Sequence, residues 1–328
     1  MAIQKFKIVT QQIDSGVRLD QLIVQYLPAL LGTPLSKGKV RKLVMAGAVY
    51  LNSKRVRIAS KVMIPGAVIE IYADLQKLEQ NRFKRDSVFK MQESDVLFED
   101  DYLIAVNKPP GLPSQPTLDE ARDNLYSSVK NLRNGKYIGL HHRLDRDTSG
   151  VVLFTKREEI NGAVGKLFQD HRIQKTYRAL AVSRGGLKLT PQWSVENFLA
   201  KEPDSLSSPK DRRSRFHSVR SGGDRAETAF KIIQEFRNAV YVEAQPKTGR
   251  THQIRVHLAE QGMPMLGDSL YGRALGAAQI GLPVEVPRLM LHALSLTFLH
   301  PIHQNQISIL SPVPKDFASC LEVFKKNQ

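Results

Sequence analysis

The stretch His141-His142-Arg143-Leu144-Asp145-Arg146-Asp147-Thr148-Ser149-Gly150-Val151-Val152-Leu153-Phe154-Thr155 sets a densely charged loop directly before an unbroken apolar run. A short run rich in β-branched and aromatic residues reads as a buried strand, so Gly150 to Thr155 is expected to be one, with the charges gathered at its start. Similar strand signals lie on both sides. Val96-Leu97-Phe98-Glu99 and Leu103-Ile104-Ala105-Val106 flank an acidic turn and lead into the constrained Asn107-Lys108-Pro109-Pro110-Gly111. Thr176 to Val182 and Ala239 to Ala244 are further strands, with few helical segments between them. This excess predicts an α+β domain built mainly on antiparallel sheet. Residues 201–225, rich in Ser, Asp and Arg without periodicity, are expected to be an exposed loop.

The chain has 328 residues, enough for about two domains. Hydrophobic residues make up 41% and charged residues 24%, which excludes collagen-like, disulfide-framework and mostly disordered classes. Cys320 is the one cysteine, so internal disulfides and multi-cysteine metal sites are excluded and a reducing compartment is implied. The first residues form no apolar leader, and no run nears the roughly 18 apolar residues of a membrane span. A cytoplasmic protein without a membrane partner is the expectation.

Lys and Arg number 48 against 32 Asp and Glu, a net charge of +16. Such a balance favours a polyanionic partner, nucleic acid first. Residues 1–90 carry 16 basic and 6 acidic side chains, a net of +10, and no acid lies between Asp20 and Glu70. Within that window Ser36 can N-cap a helix whose Val40, Leu43 and Val44 share a face, with Gly47 as its stop. Val49-Tyr50-Leu51, the turn Asn52-Ser53, and Arg55-Val56-Arg57-Ile58 then read as a hairpin, and Arg18 to Val24 opens an earlier helix. Two helices and a small sheet result. This order resembles the S-four RNA-binding domain over residues 13–73. The resemblance implies RNA contacts from Lys37, Arg41, Lys42, Lys54 and Arg55. Polar residues 74–94 are read as a linker.

Around Asp145, two carboxylates sit among two arginines and two histidines, a setting that suits a nucleophile or general base. Several reaction classes fit that cluster alone. A kinase would need contiguous His-Arg-Asp with a later Asp-Phe-Gly, and a serine hydrolase would need Gly-x-Ser-x-Gly; neither is present. His252 and His257 are five apart and diverge on a helix, which disfavours a zinc site. A second cluster, Lys247-Thr248-Gly249-Arg250-Thr251-His252-Gln253-Ile254-Arg255-Val256-His257-Leu258, narrows the choice. Thr251 can N-cap a helix reaching Gln261, with Gly262 as its stop. Arg255 can hold a carboxylate in a bidentate pair, while His252 and the helix start can meet phosphate.

Together the two clusters resemble the pseudouridine synthases of the Rlu type. Asn107-Lys108-Pro109, Lys175-Thr176-Tyr177, Gly267-Asp268-Ser269-Leu270-Tyr271-Gly272 and Leu291-His292-Ala293 follow the family order across residues 95–313. The chain departs from the family pattern at Leu112-Pro113-Ser114-Gln115-Pro116, where a histidine is common, and around Arg225 to Phe230. The resemblance implies isomerisation of RNA uridines without a cofactor, with large-subunit ribosomal RNA as the partner. It assigns catalysis to Asp145, Tyr177 and Arg255, and substrate contacts to Arg143, Lys108, Arg250 and His252. Arg143 would fill the space of the flipped uridine. Residues 314–328 are left as a C-terminal tail. A non-enzymatic RNA-binding or ribosome-assembly protein, or a synthase acting on transfer RNA, are the competing readings.

Overall fold

A computed structural model describes residues 3–31, 35, 37–45, 47–74, 89–116, 123–183, 190–203, 215–272 and 286–327. The chain divides into two compact units, the first built mainly from residues 1–89 and the second from residues 90–115 and 124–328. Among the described residues no helix is long and apolar enough to cross a membrane.

The first unit runs β1 (Ile3–Val9), α1 (Leu19–Leu31), α2 (Lys37–Met45), β2 (Val49–Leu51), β3 (Lys54–Val56) and β4 (Val68–Asp74). The strands form an antiparallel sheet in the order β1-β4-β2-β3. Period-two alternation sorts β4, since Ile69 and Ile71 join Leu22, Ile23, Val40 and Val44 in the core while Tyr72 is exposed. Gly47, at φ +76°, closes α2 as expected: its N–H donates to Val44 and the N–H of Ala48 donates to Leu43. Asn52 and Ser53 both have positive φ, the pairing that matches a two-residue hairpin turn to strand twist. Two features differ from expectation. The unit begins with β1, before residue 13, and β3 ends at Val56 and omits Arg57 and Ile58, while α1, opened by Arg18 to Val24, runs on through Pro28 to Leu31. Ser36, the Lys42 side chain and most of the expected linker, 75–88, lie outside the described residues.

The second unit contains β5 (Val96–Glu99), β6 (Leu103–Lys108), α3 (Leu125–Leu132), β7 (Gly139–Leu140), β8 (Ser149–Thr155), α4 (Asn161–Gln169), β9 (Gln174–Val182), β10 (Gln192–Lys201), β11 (Phe216–Val219), β12 (Asp224–Glu235), β13 (Ala239–Pro246), α5 (Gln253–Glu260), β14 (Leu291–Leu299), β15 (Gln306–Leu310) and α6 (Lys315–Lys326). An 11-stranded sheet runs β11-β10-β12-β13-β9-β14-β8-β6-β5, with β15 on β14 and β7 on β8. It is antiparallel except for the short parallel pairing of β14 with β8. The α+β expectation holds.

Two segments depart from the sequence reading. Within 201–225, β11 pairs Phe216–Val219 with Phe198–Lys201 and β12 begins at Asp224, so the described part is sheet edge rather than loop; residues 204–214 lie outside the described residues. The tail expected over 314–328 is helix α6, because Phe317, Cys320 and Phe324 recur on one face and bury against Leu180, Val182 and Met290. Arg288 fastens it by two hydrogen bonds to Asp316, at 2.6 and 2.9 Å.

All of β8 is buried. Its second residue, Gly150, has φ +123° and lies so near β14 that a Cβ would overlap the Ala293 backbone. Gly150→Ala is therefore expected to destabilise the protein by about 2–3 kcal/mol through strain and overlap. Urea unfolding checks this.

Candidate active site

The charged loop 141–148 links β7 to β8, and its backbone is fixed on both sides of Asp145. Ser114 Oγ donates to the Leu144 carbonyl at 2.8 Å and accepts the Leu144 N–H at 3.0 Å. Beyond Asp145, the ammonium of Lys108 donates to the carbonyl of Arg146 at 2.9 Å, and to those of Pro109 and Leu112 at 2.9 and 2.8 Å. The Arg146 Nε returns to Gly111 at 3.0 Å. The residue before Lys108, Asn107, is tied by Ser311 Oγ, while Ser311 O meets His292 Nε2 and His292 Nδ1 meets Ser149 Oγ. Lys108, expected to contact substrate, is instead fully buried, with all three of its protons committed to carbonyls. Its work is to shape the loop. Burial pulls its ammonium down to about 7, with Asp147 and Asp145 opposing.

Opposite Asp145 stands Arg255, in the first turn of α5. Its Nη1 donates to Asp145 Oδ2 at 3.1 Å. The bidentate pair expected for Arg255 is made with Asp268, which Nε and Nη2 reach at 2.8 and 2.9 Å. Burial pushes Asp268 up, but Arg255 and the N–H groups of Tyr271 and Leu270 hold its carboxyl below the usual range. The guanidinium also lies 5.1 Å from the Tyr271 ring centre. Helix α5 begins at Gln253, not after a Thr251 cap. His252 precedes it in the left-handed region at φ +58°, and Gln253 Oε1 holds the turn by accepting from Thr248 Oγ1 and the Arg250 N–H. Gly262 ends the helix as expected, with its N–H on Ala259 and that of Met263 on Leu258.

Asp145 and Arg255 border a cavity of about 570 Å³, within the size range of ligand sites. Asp145, Tyr177, Arg255, Arg143, Arg250 and His252 all border it. Tyr177 sits on β9; burial, and then the negative charge of Asp145, pushes its phenol upward. Arg143 is exposed and donates to Thr251 Oγ1 at 3.2 Å, and Arg250 Nε donates to the Arg225 carbonyl. Lys175 also lines the cavity, donating to the Thr248 carbonyl, with burial lowering its ammonium to about 8. Thr148 is buried in the cavity wall and its hydroxyl has no partner among the described residues. His257 turns away from His252 and bonds Thr228 and Asn197, both at 3.0 Å. A mixed cluster, Asp100, His300 and His303, lies elsewhere. There His300 Nδ1 accepts two backbone N–H groups, so Nε2 carries the proton toward Asp100 and is unsuited to a cation.

Asp268, Tyr271 and Ser114 complete this site without being legible as its members in the sequence. Asp268 and Tyr271 stand in a recognisable motif, but nothing in their spacing shows that a turn returns them to α5.

A family model described as RNA pseudouridylate synthase matches residues 102–260. The chain is 32% identical over 323 residues to a ribosomal large subunit pseudouridine synthase C of Yersinia pestis, covering 96% of this chain and 94% of that protein. It is 30% identical over 317 residues to a ribosomal large subunit pseudouridine synthase D of Nitrosomonas europaea, covering 95% and 85%. A solved structure, human RNA pseudouridylate synthase domain containing 4, shares the fold with a TM-score of 0.54 at 23% identity, over 71% of this chain and 93% of that one. The chain belongs to the RNA pseudouridine synthases of the Rlu type. Its activity is accordingly the isomerisation of uridine in RNA.

Because Asp268 fixes Arg255, Asp268→Asn is expected to lower stability by about 3 kcal/mol and the isomerisation rate about 10- to 100-fold. Urea unfolding and single-turnover kinetics on RNA measure the two effects.

Proposed function

We propose that Asp145 is the reacting group of a synthase acting on large-subunit ribosomal RNA, and that the target uridine enters by flipping out of its stack. The observation that carries this reading is the contact of Asp145 with Arg255 in a cavity that Tyr177 also lines. An aspartate so placed can bond to C1′ of the ribose or take the proton of C2′. Either way the electron pair of the C1′–N1 bond leaves with the uracil, which turns and rejoins through C5 as the Asp145–C1′ bond breaks or the proton taken from C2′ is returned there. The C5 proton is then lost and N1 gains one, so the product is an isomer and no co-reactant is consumed. Tyr177 would stack on the base as the resemblance implies. Flipping costs a few kcal/mol, which Arg143, exposed at the cavity mouth, would offset by filling the vacated stack.

The first unit supplies affinity in this reading, as an S-four-like module. Lys54 and Arg55 are exposed, and Arg55 lies over the Tyr50 ring and bonds its hydroxyl. Arg41 is partly spent: its Nε binds the buried Asp20 at 2.8 Å, beside Arg18. Large-subunit RNA is favoured over transfer RNA because both relatives named above are ribosomal large subunit synthases and align along nearly the whole chain.

Tritium release from RNA labelled at uridine C5 tests the chemistry. Wild type is expected to release label from large-subunit fragments and Asp145→Asn to release none while binding RNA unchanged; release by the variant near the wild-type rate removes Asp145 from the mechanism. A charge reversal, Lys54→Glu with Arg55→Glu, is expected to weaken RNA binding and to flatten the dependence of log K on log salt by about one for each phosphate that the two side chains neutralise in wild type. An unchanged slope would take these two residues out of the interface.

A further inference from the structure

His252, expected to meet phosphate, has its ring built into the protein. Nδ1 lies 2.9 Å from the hydroxyl of Tyr271, and that hydroxyl already accepts the N–H of Phe216 at 2.9 Å. The hydroxyl proton is therefore free to go to Nδ1, which leaves the imidazole proton on Nε2. Nε2 faces Asp145 Oδ2 at 3.8 Å, an orientation in which a proton is attracted and a lone pair would be repelled. The ring is also set edgewise between Phe216 and Tyr271, with centroids 5.7 and 5.6 Å away.

The backbone supports a role beyond helix capping. A non-glycine residue at φ +58° is uncommon and costs free energy unless its surroundings fix it, and the His252 side chain makes no cap hydrogen bond to α5. The strain places the ring against Tyr271 and Asp145 instead. Arg255 Nη1 donates to the same oxygen, Oδ2, at 3.1 Å, and among the described residues Oδ1 accepts no hydrogen bond.

We propose that His252, its ring set by Tyr271, is a positioning residue that with Arg255 holds Oδ2 of Asp145 and leaves Oδ1 as the oxygen that acts on the ribose. This rests on the reading of Asp145 as the reacting group. In either route above, the new bond, to C1′ or to the C2′ proton, forms at Oδ1. Oδ2 keeps its two neighbours throughout, so the carboxylate does not rotate between the steps.

Two amide replacements separate this role from phosphate contact. His252→Gln places an amide nitrogen where Nε2 stands, and His252→Asn places one where Nδ1 stands. In single-turnover tritium release on saturating RNA, His252→Gln is expected to stay within about threefold of wild type. His252→Asn should lose about 10- to 100-fold in rate with RNA affinity unchanged. Tyr271→Phe, which frees the tautomer, should fall in the same direction and serves as the test if His252→Asn melts below the assay temperature. A wild-type rate in His252→Asn or, in that case, in Tyr271→Phe overturns the proposal. So does weakened RNA binding at an unchanged rate, which would make His252 an RNA contact. Asp145→Asn is run beside them: activity in that variant defeats the aspartate reading itself, whereas an inactive Asp145→Asn with a full-rate His252→Asn defeats the positioning role alone.

Discussion

One guanidinium organises the second unit's chemistry. Arg255 is largely buried between two carboxylates, gripped by Asp268 through two hydrogen bonds and touching Asp145 through a third. A buried cation with one carboxylate would face a large desolvation cost, and a buried pair gives little net stability unless its remaining donors and acceptors are used. Asp268 supplies much of what is needed, because its Oδ1 also accepts backbone N–H groups from Leu270 and Tyr271. The pairing with Asp268 aims the remaining nitrogen, Nη1, at Asp145. Helix α5, the 267–272 turn and the loop before β8 are thereby held to a common geometry.

The other half of that geometry is the loop itself. An aspartate flanked by Leu144 and Arg146 on a connecting segment would ordinarily sample many conformations. Here the neighbours on each side are pinned by groups from the segment 108–114, an ammonium and a hydroxyl that use backbone carbonyls and an N–H rather than side chains. Backbone anchoring leaves the intervening side chain free to be functional. The parallel pairing of β8 with β14 continues the bracing, since Ser149, His292, Ser311 and Asn107 form one chain of hydrogen bonds beneath the loop.

Much of this is legible in the sequence where periodicity or a motif carries the signal. Strands β5, β6, β8, β9 and β13, the Gly47 and Gly262 helix stops and the Asn52-Ser53 turn follow from local rules, and the family resemblance marks Asp145 and Arg255 together. What local rules do not supply is the partner at a distance. They give Arg255 the chemistry of a bidentate pair and no partner for it, because nothing in the spacing places Asp268 beside α5. Lys108 is a substrate contact only by the resemblance; the folded chain brings three carbonyls to its ammonium. Residues 216–219 look irregular because an edge strand with one partner buries little and needs no apolar run.

Arginine, rather than lysine, at position 255 has a physical reason in the behaviour of its neighbours. Burial lowers Lys175 to about 8 and Lys108 to about 7, and it also pushes the His252 imidazole down. The two lysines could change charge near neutral pH, and a lysine placed between Asp145 and Asp268 would meet the same desolvation with fewer donors to share. A guanidinium stays charged at any pH the protein meets, and its planar fork serves one carboxylate with two parallel bonds while a further N–H serves another. The partner of Asp145 therefore keeps constant charge and direction while the groups around it titrate, so the reactive state of the site depends on the aspartate and the substrate rather than on the cation that holds them.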